Sequence, residues 1–235
     1  MSTPRRLSPI GTTFAPFTGA RVLFGDSKLR GLAALPVLVT LLAYGAALAA
    51  AILSVDDLVA FLWAKPEGTM VYLWYLVVAL TFFAELLIMR SAFFAIVGVV
   101  AGPLYERLAE SVLSARAIET SSPSIADGLA SSALRLALFA LPAFCFGLMS
   151  LVPGLGIVFL PFSLFFSALA FAAEVLDPPL ALLGMSVKER LSYVLRNLTA
   201  VVGLGIVLSL AIYVPFAVLV AVPSAIVGLS RNLEV

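Results

Sequence analysis

Two charged residues, Glu85 and Arg90, interrupt an apolar stretch that runs from residue 70 to residue 101. A charge inside a membrane-spanning helix is costly, and its usual roles are to line an ion path or to pair with another helix. Residues five apart lie about 140° from each other around a helix, so the two side chains make a poor mutual pair. A Glu85 that takes up and releases a proton would suit proton-coupled ion entry through a pore. Alternatively, Glu85 pairs with another helix in assembly while Arg90 reaches the membrane interface.

A second pair of charged residues, Glu174 and Asp177, lies three residues apart, which places both carboxylates on one helix face. Such a pair can bind a cation. The favoured interpretation is that the two residues end a helix before Pro178 and pair with basic side chains further along the chain. The basic residues available there are Lys188, Arg190 and Arg196.

The composition identifies the solvent around these charges. Of 235 residues, 63% are hydrophobic and only 11% are charged, whereas soluble domains carry about a quarter charged residues. The chain is therefore predicted to be an integral membrane protein. Its net charge of +1 and the lack of a basic run give no support to nucleic-acid binding. Histidine is absent and Cys145 is the single cysteine, so metal binding, a cofactor and enzymatic catalysis are not expected.

Two charge-free tracts are each broken by proline near the middle. The first runs from Leu136 to Ala173 and breaks at residues 152–156; the second runs from Asn197 to Ser230 and breaks at Pro215 and Pro223. Arms of this length barely reach across a hydrocarbon core of about 30 Å, so both tracts are predicted to be helical hairpins partly inserted in the bilayer. The charges on both sides of the tracts would then share one membrane face. A buried turn survives in lipid only where protein or water satisfies its backbone, which predicts a homo-oligomer or a pore.

The remaining elements complete an all-α integral membrane fold with two long transmembrane helices plus the two Pro/Gly-broken hairpins. Residues 1–28 form an N-terminal segment with an interfacial helix, and residues 29–232 form one membrane domain. The predicted elements of that domain are transmembrane helices at about 29–53 and 70–101, an amphipathic helix at 104–119, and hairpins at about 129–176 and 186–230. Basic residues dominate before the first transmembrane helix, which places the N-terminus in the cytoplasm. They are Arg5, Arg6, Arg21, Lys28 and Arg30.

The order of several short motifs resembles one membrane-protein family. The motifs are Lys28-Leu29-Arg30 ahead of Pro36, residues 101–104 followed by Glu106 and Glu110, the hairpin tip Pro153-Gly154-Leu155-Gly156, Asp177-Pro178-Pro179, and the closing stretch from Pro215 through Pro223 to Gly228. Together they resemble the CysZ sulfate permease family, within the etoposide-induced-protein superfamily, over roughly residues 20 to 232.

The resemblance implies a permease of the bacterial inner membrane that brings sulfate into the cytoplasm for cysteine biosynthesis. It also implies an anion site at Lys28, Leu29 and Arg30, where a helix N-terminus and an arginine attract oxyanions. Lys28 replaces the glycine of the family motif, and Gly31 replaces its second arginine. The alternative for these side chains is that they anchor the helix to lipid phosphates. The alternative function is a non-transporting membrane scaffold or biogenesis protein of the same superfamily.

Overall fold

The computed structural model describes residues 7–96, 101–152, 154–211 and 217–233, without the side chains of residues 44, 87–96 and 125. Within these ranges the chain is helical apart from short turns, and no strand occurs. The helices are α1 (Pro9–Thr13), α2 (Ala15–Gly25), α3 (Ser27–Leu62), α4 (Val71–Ile96), α5 (Gly102–Ser114), α6 (Ile125–Arg135), α7 (Leu141–Ser150), α8 (Gly156–Leu182), α9 (Val187–Arg196), α10 (Leu198–Ala211) and α11 (Ala217–Asn232).

Several of the described helices are long and apolar enough to cross a membrane. They are α3, residues 68–86 at the start of α4, residues 126–150, which comprise α6 and α7, and α8. Helices α9 and α10 form a further pair, bent by 89°, which is typical of a broken span or a re-entrant loop. The predicted all-α membrane fold is confirmed.

The first two long helices form a hairpin whose turn is shorter than the sequence predicted. Helix α3 continues past residue 53 to Leu62 and spans 36 residues, about 54 Å, so it exceeds a hydrocarbon core of about 30 Å. The turn is anchored by Lys65, whose Nζ lies 5.1 Å from the Trp74 ring centroid and 2.9 Å from the Tyr75 hydroxyl. Aromatic residues at the start of the second helix thus hold the turn.

The first proline-broken tract forms a hairpin with longer arms than predicted. A π-helical turn at Leu136–Ala140 joins α6 to α7, and the resulting arm covers residues 126–150, while α8 covers 27 residues. Each arm is about 38 to 40 Å long, enough to cross the core. The predicted end before Pro178 is wrong, because α8 continues through Pro178 and Pro179 to Leu182. The flanking charges are paired inside the protein, so the helices need not end there.

The second tract forms a shorter hairpin. Helix α10 has 14 residues and α11 has 16, or about 21 and 24 Å, which is less than the core thickness. Asn197 stabilises the bend before α10: its Nδ2 donates to the carbonyl of Tyr193, and its Oδ1 accepts from the N–H of Leu7. Pro223 lies within α11 and is buried. The other predicted break, Pro215, lies outside the described residues.

The N-terminal helix α2 is part of the helical core, whereas the sequence predicted only a segment on the membrane surface. One face of α2 packs on α11 so closely that a Cβ on Gly19 would overlap the carbonyl of Ser224. A Cβ on Gly228 would likewise overlap the carbonyl of Ala15. The end of α11 is held by Arg116, whose Nη1 donates to the carbonyls of Ser230 and Leu233 at 2.8 and 2.9 Å. Helices α2 and α11 are therefore both held in the same bundle.

Replacing Gly228 with alanine should separate α2 from α11 and lower the free energy of unfolding by about 1–3 kcal/mol, because the methyl group has no room against Ala15. The measurement is denaturant unfolding of the purified protein in detergent. Gly45→Ala is the matched control, since a Cβ at this position on α3 meets open space. Equal stability of the two variants would contradict the observed packing.

Candidate functional site

A cluster of buried charges joins α6, α8 and α9, and we call it the charge cluster: Arg135, Glu174, Asp177 and Arg190, with Ser131. Arg135 Nε donates to Glu174 Oε2 at 2.9 Å, and Arg135 Nη2 donates to Glu174 Oε1 at 3.3 Å. This is a bidentate pair, the strongest geometry for a guanidinium and a carboxylate. The two side chains are only 10% and 8% exposed. Each charge is therefore compensated directly by the other.

Asp177 accepts from three donors at one carboxylate oxygen. Its Oδ1 lies 2.8 Å from Ser131 Oγ, 2.6 Å from Arg135 Nη1 and 2.8 Å from Arg190 Nη1. The predicted pairing with a basic residue further along the chain is confirmed for Asp177, which bonds Arg190, and Arg135 is its additional partner. For Glu174 the prediction is wrong, because its partner is Arg135, which precedes it in the chain. Among the described residues, no group of acidic or cysteine side chains is arranged to hold a metal ion.

The N–H groups of Arg135 are all occupied. Nε and Nη2 bond Glu174, Nη1 bonds Asp177 and Ser131, and Nη2 also bonds Ser132 at 3.1 Å. A guanidinium has five N–H donors, and these contacts engage each of them. A further ligand can bind Arg135 only by displacing one of these oxygens.

Arg190 differs from Arg135 in having an unpaired donor. Its Nε is buried and has no hydrogen-bond partner within the described part of the chain. A void of about 10 Å³ lies beside it, between Ser131, Arg135 and Asp177. That is close to the space one water molecule needs, and a water there would satisfy the donor.

The charge cluster borders a larger cleft of about 100 Å³ between α5, α6 and α8. Glu106 of α5, Ser132 and Arg135 of α6, and Glu174 and Asp177 of α8 line it. Pro178 also borders the cleft, and neither it nor Pro179 can donate to the helix carbonyls four residues earlier. The cleft thus combines charged and apolar lining residues and is large enough for several water molecules.

Glu106 is the member of the cleft that lies on the amphipathic helix. Burial raises the pKa of its carboxyl, the nearby negative charge of Asp177 raises that pKa further, and Arg190 opposes the change. Burial therefore favours the protonated form of Glu106.

The predicted anion site lies at the N-terminus of α3, apart from the charge cluster. The Asp26 side chain caps this helix, with Oδ1 accepting from the Lys28 N–H at 2.8 Å. Leu29 is buried, whereas Lys28 and Arg30 are exposed. The Asp26 carboxylate thus accepts from one of the backbone N–H groups that the family motif would offer to an anion.

The other predicted site residues are distributed over separate elements. Glu85 lies on α4, and its buried Oε2 has no hydrogen-bond partner among the described residues. The side chain of Arg90, as well as Pro153, lies outside the described residues. At the first hairpin tip, Gly154 has a φ of +86°, which suits glycine, and Gly156 begins α8.

Sequence reasoning placed the flanking charges on one membrane face but did not identify the charge cluster as a site. The available signal was that Arg135, Glu174 and Asp177 stand at the ends of a charge-free tract. These charges form one cluster because the hairpin brings Arg135 and Glu174, 39 positions apart in the chain, into contact. Nothing in the local sequence indicated that Glu106 would join them.

Comparison with known families agrees with this architecture. Residues 15–223 match the family described as Sulfate transporter CysZ/Etoposide-induced protein 2.4. The chain belongs to this family. The family supports a sulfate-transporter-like function and comprises membrane proteins rather than enzymes, as the sequence predicted. Among individual curated proteins, none matches the sequence.

Replacing Arg135 with alanine should lower the free energy of unfolding by about 3–5 kcal/mol, because Glu174 and Asp177 would lose a shared buried cation. Thermal or denaturant unfolding in detergent measures this. Arg107→Ala removes an exposed arginine from α5 and should change stability by less than about 0.5 kcal/mol. A similar small change in both variants would mean that the cluster contributes nothing.

Glu106→Gln should stabilise the protein at neutral pH, since the folded state favours a neutral group at this position. Because the pKa of Glu106 is raised, the folded protein binds this proton more tightly than the unfolded chain does. Ionisation of Glu106 therefore lowers stability as pH rises above its unfolded pKa, and the full loss is reached above its folded pKa. The advantage of glutamine should therefore shrink as pH falls through the folded pKa. Unfolding curves across pH test this, with Glu110→Gln on the exposed face of α5 as control.

Proposed function

We propose that the protein is a permease that carries sulfate, or a related oxyanion, into the cytoplasm for cysteine biosynthesis. The observation that carries the proposal is the family match over residues 15–223 in a chain with several apolar helices long enough to span a membrane. Most of this family domain consists of helices, and they border a cleft with an arginine and three carboxylates at its wall. Such a cavity is what an ion needs in order to leave water inside a bilayer.

The proposed entry site for the anion is the start of α3. The exposed side chains of Lys28 and Arg30 supply positive charge, and the backbone N–H of Leu29 belongs to the helix N-terminus, which favours anions. Asp26 already engages the Lys28 N–H, so the two side chains carry more of the binding here than in a motif that begins with glycine.

The proposed path continues along α4, where Glu85 and Arg90 are the charged residues. The buried, unpaired Oε2 of Glu85 supports a role in ion passage, since an orphan carboxylate oxygen is costly in an apolar bundle. The exposed apolar faces of α3 and α4 support contact with lipid and with further copies in a homo-oligomer. The basic N-terminal residues support a cytoplasmic N-terminus in a bacterial inner membrane.

Liposomes that contain the purified protein should take up radiolabelled sulfate, and Arg30→Ala should reduce both uptake and sulfate binding by about tenfold, because a charge-assisted contact is lost. Arg231→Ala, an exposed arginine near the C-terminus, is the matched control and should behave as wild type. Neither flux nor binding in the wild-type protein would overturn the proposal and would favour the scaffold alternative.

A further inference from the structure

Arg135 and Glu174 form a pair that an oxyanion can imitate. The two carboxylate oxygens of Glu174 accept parallel hydrogen bonds from Nε and Nη2 of Arg135. Sulfate and related tetrahedral oxyanions offer a guanidinium the same arrangement, two oxygens that accept parallel N–H donors. Arg135 also lines the cleft, so an anion in the cleft lies next to the guanidinium.

We propose that Arg135 binds the transported oxyanion inside the bundle, and that Glu174 occupies the same position on the guanidinium when no anion is bound. The inference rests on the proposed function and adds a binding site for its substrate. The anion enters the cleft, accepts from Nε and Nη2 of Arg135, and displaces the Glu174 carboxylate. Asp177 and Ser131 keep Nη1 in place during the exchange.

The exchange is needed because Arg135 has no spare donor. Its five N–H groups are bonded to Glu174, Asp177, Ser131 and Ser132. Asp177 is less easily displaced than Glu174, since Ser131 and Arg190 hold the same Asp177 oxygen. Within the described residues, Arg135 is the one cation that forms an ion pair with Glu174. Glu174 is therefore the carboxylate that leaves.

The charges around Glu174 determine when the exchange is favourable. On the elements packed against it, the groups that line the cleft or belong to the charge cluster are Glu106, Arg135, Asp177 and Arg190. The other charged residues of α5, α6 and α9 are exposed, and α7 and α10 contain none. Helix α4 adds Glu85 and Arg90, and α11 adds the exposed Arg231.

With every group ionised, the cleft and the charge cluster together hold two arginines and three carboxylates, and this net charge of −1 repels a dianion. Each proton taken from water by a carboxylate removes one negative charge. A protonated Glu174 also releases the guanidinium, because a neutral carboxyl accepts more weakly than a carboxylate. Burial already raises the pKa of Glu106, which favours a second proton in the cleft. Anion binding at Arg135 is therefore coupled to proton uptake.

The test uses the purified full-length protein, with sulfate as the probe, in binding and liposome-uptake assays across pH. Glu174→Gln, which imitates the protonated residue, should bind sulfate about tenfold more tightly at neutral pH and lose most of the pH dependence. Arg135→Lys keeps the positive charge but loses the two parallel N–H donors of the guanidinium, and the affinity of this variant for sulfate should fall about tenfold or more. Glu110→Gln and Arg107→Lys make the same changes on the exposed face of α5 and should behave as wild type.

A measurement on the wild-type protein does not depend on how the variants fold. Sulfate should raise the melting temperature more at acidic than at alkaline pH, since the proton and the anion bind together. Sulfate flux in the wild type that is unaffected by both substitutions, with an unchanged pH profile, would overturn the inference and leave the permease intact. The absence of any sulfate flux or binding in the wild type would instead overturn the proposed function itself.

Discussion

Charges buried in an apolar bundle must be compensated within the protein, and this requirement organises the structure around Arg135. Its guanidinium donates to Glu174 and Asp177 of α8 and to Ser131 and Ser132 of its own helix. Because the charges are paired, the arm formed by α6 and α7 and the helix α8 can both extend past them to membrane-spanning length. Without that pairing, the same residues would have to lie in water, and the helices would end where the apolar tract ends.

The same requirement applies to the polar backbone. The bend before α10 is held by the side chain of Asn197, and the end of α11 is held by Arg116, each through hydrogen bonds to backbone groups. Lipid offers no alternative partner for such groups. A short, broken hairpin is therefore tolerated because the bundle around it, including α2, supplies the missing contacts.

Pairing also explains how this helical bundle can hold a cleft with three carboxylates at its wall. In the proposed exchange, carboxylates beside an arginine stabilise the resting bundle, and their protonation would convert the same cavity into an anion site. The start of α3 repeats this arrangement on a smaller scale, since Asp26 occupies the Lys28 N–H there. At both proposed anion sites a carboxylate of the protein stands where the oxyanion would bind, so that binding would require its displacement.

The sequence by itself determined that the protein lies in a membrane, that it is helical, where its apolar tracts are broken, and to which family it belongs. These follow from composition, from runs of apolar residues and from the order of short motifs, all of which are local along the chain. Only the tertiary structure decided that Pro178 and Pro179 lie inside a helix, that α2 packs on α11, and that Arg135, Glu174 and Glu106 share one cleft. Those outcomes depend on which helix faces meet. No local pattern specifies that choice, because many charged residues satisfy the same pairing rule and packing selects among them.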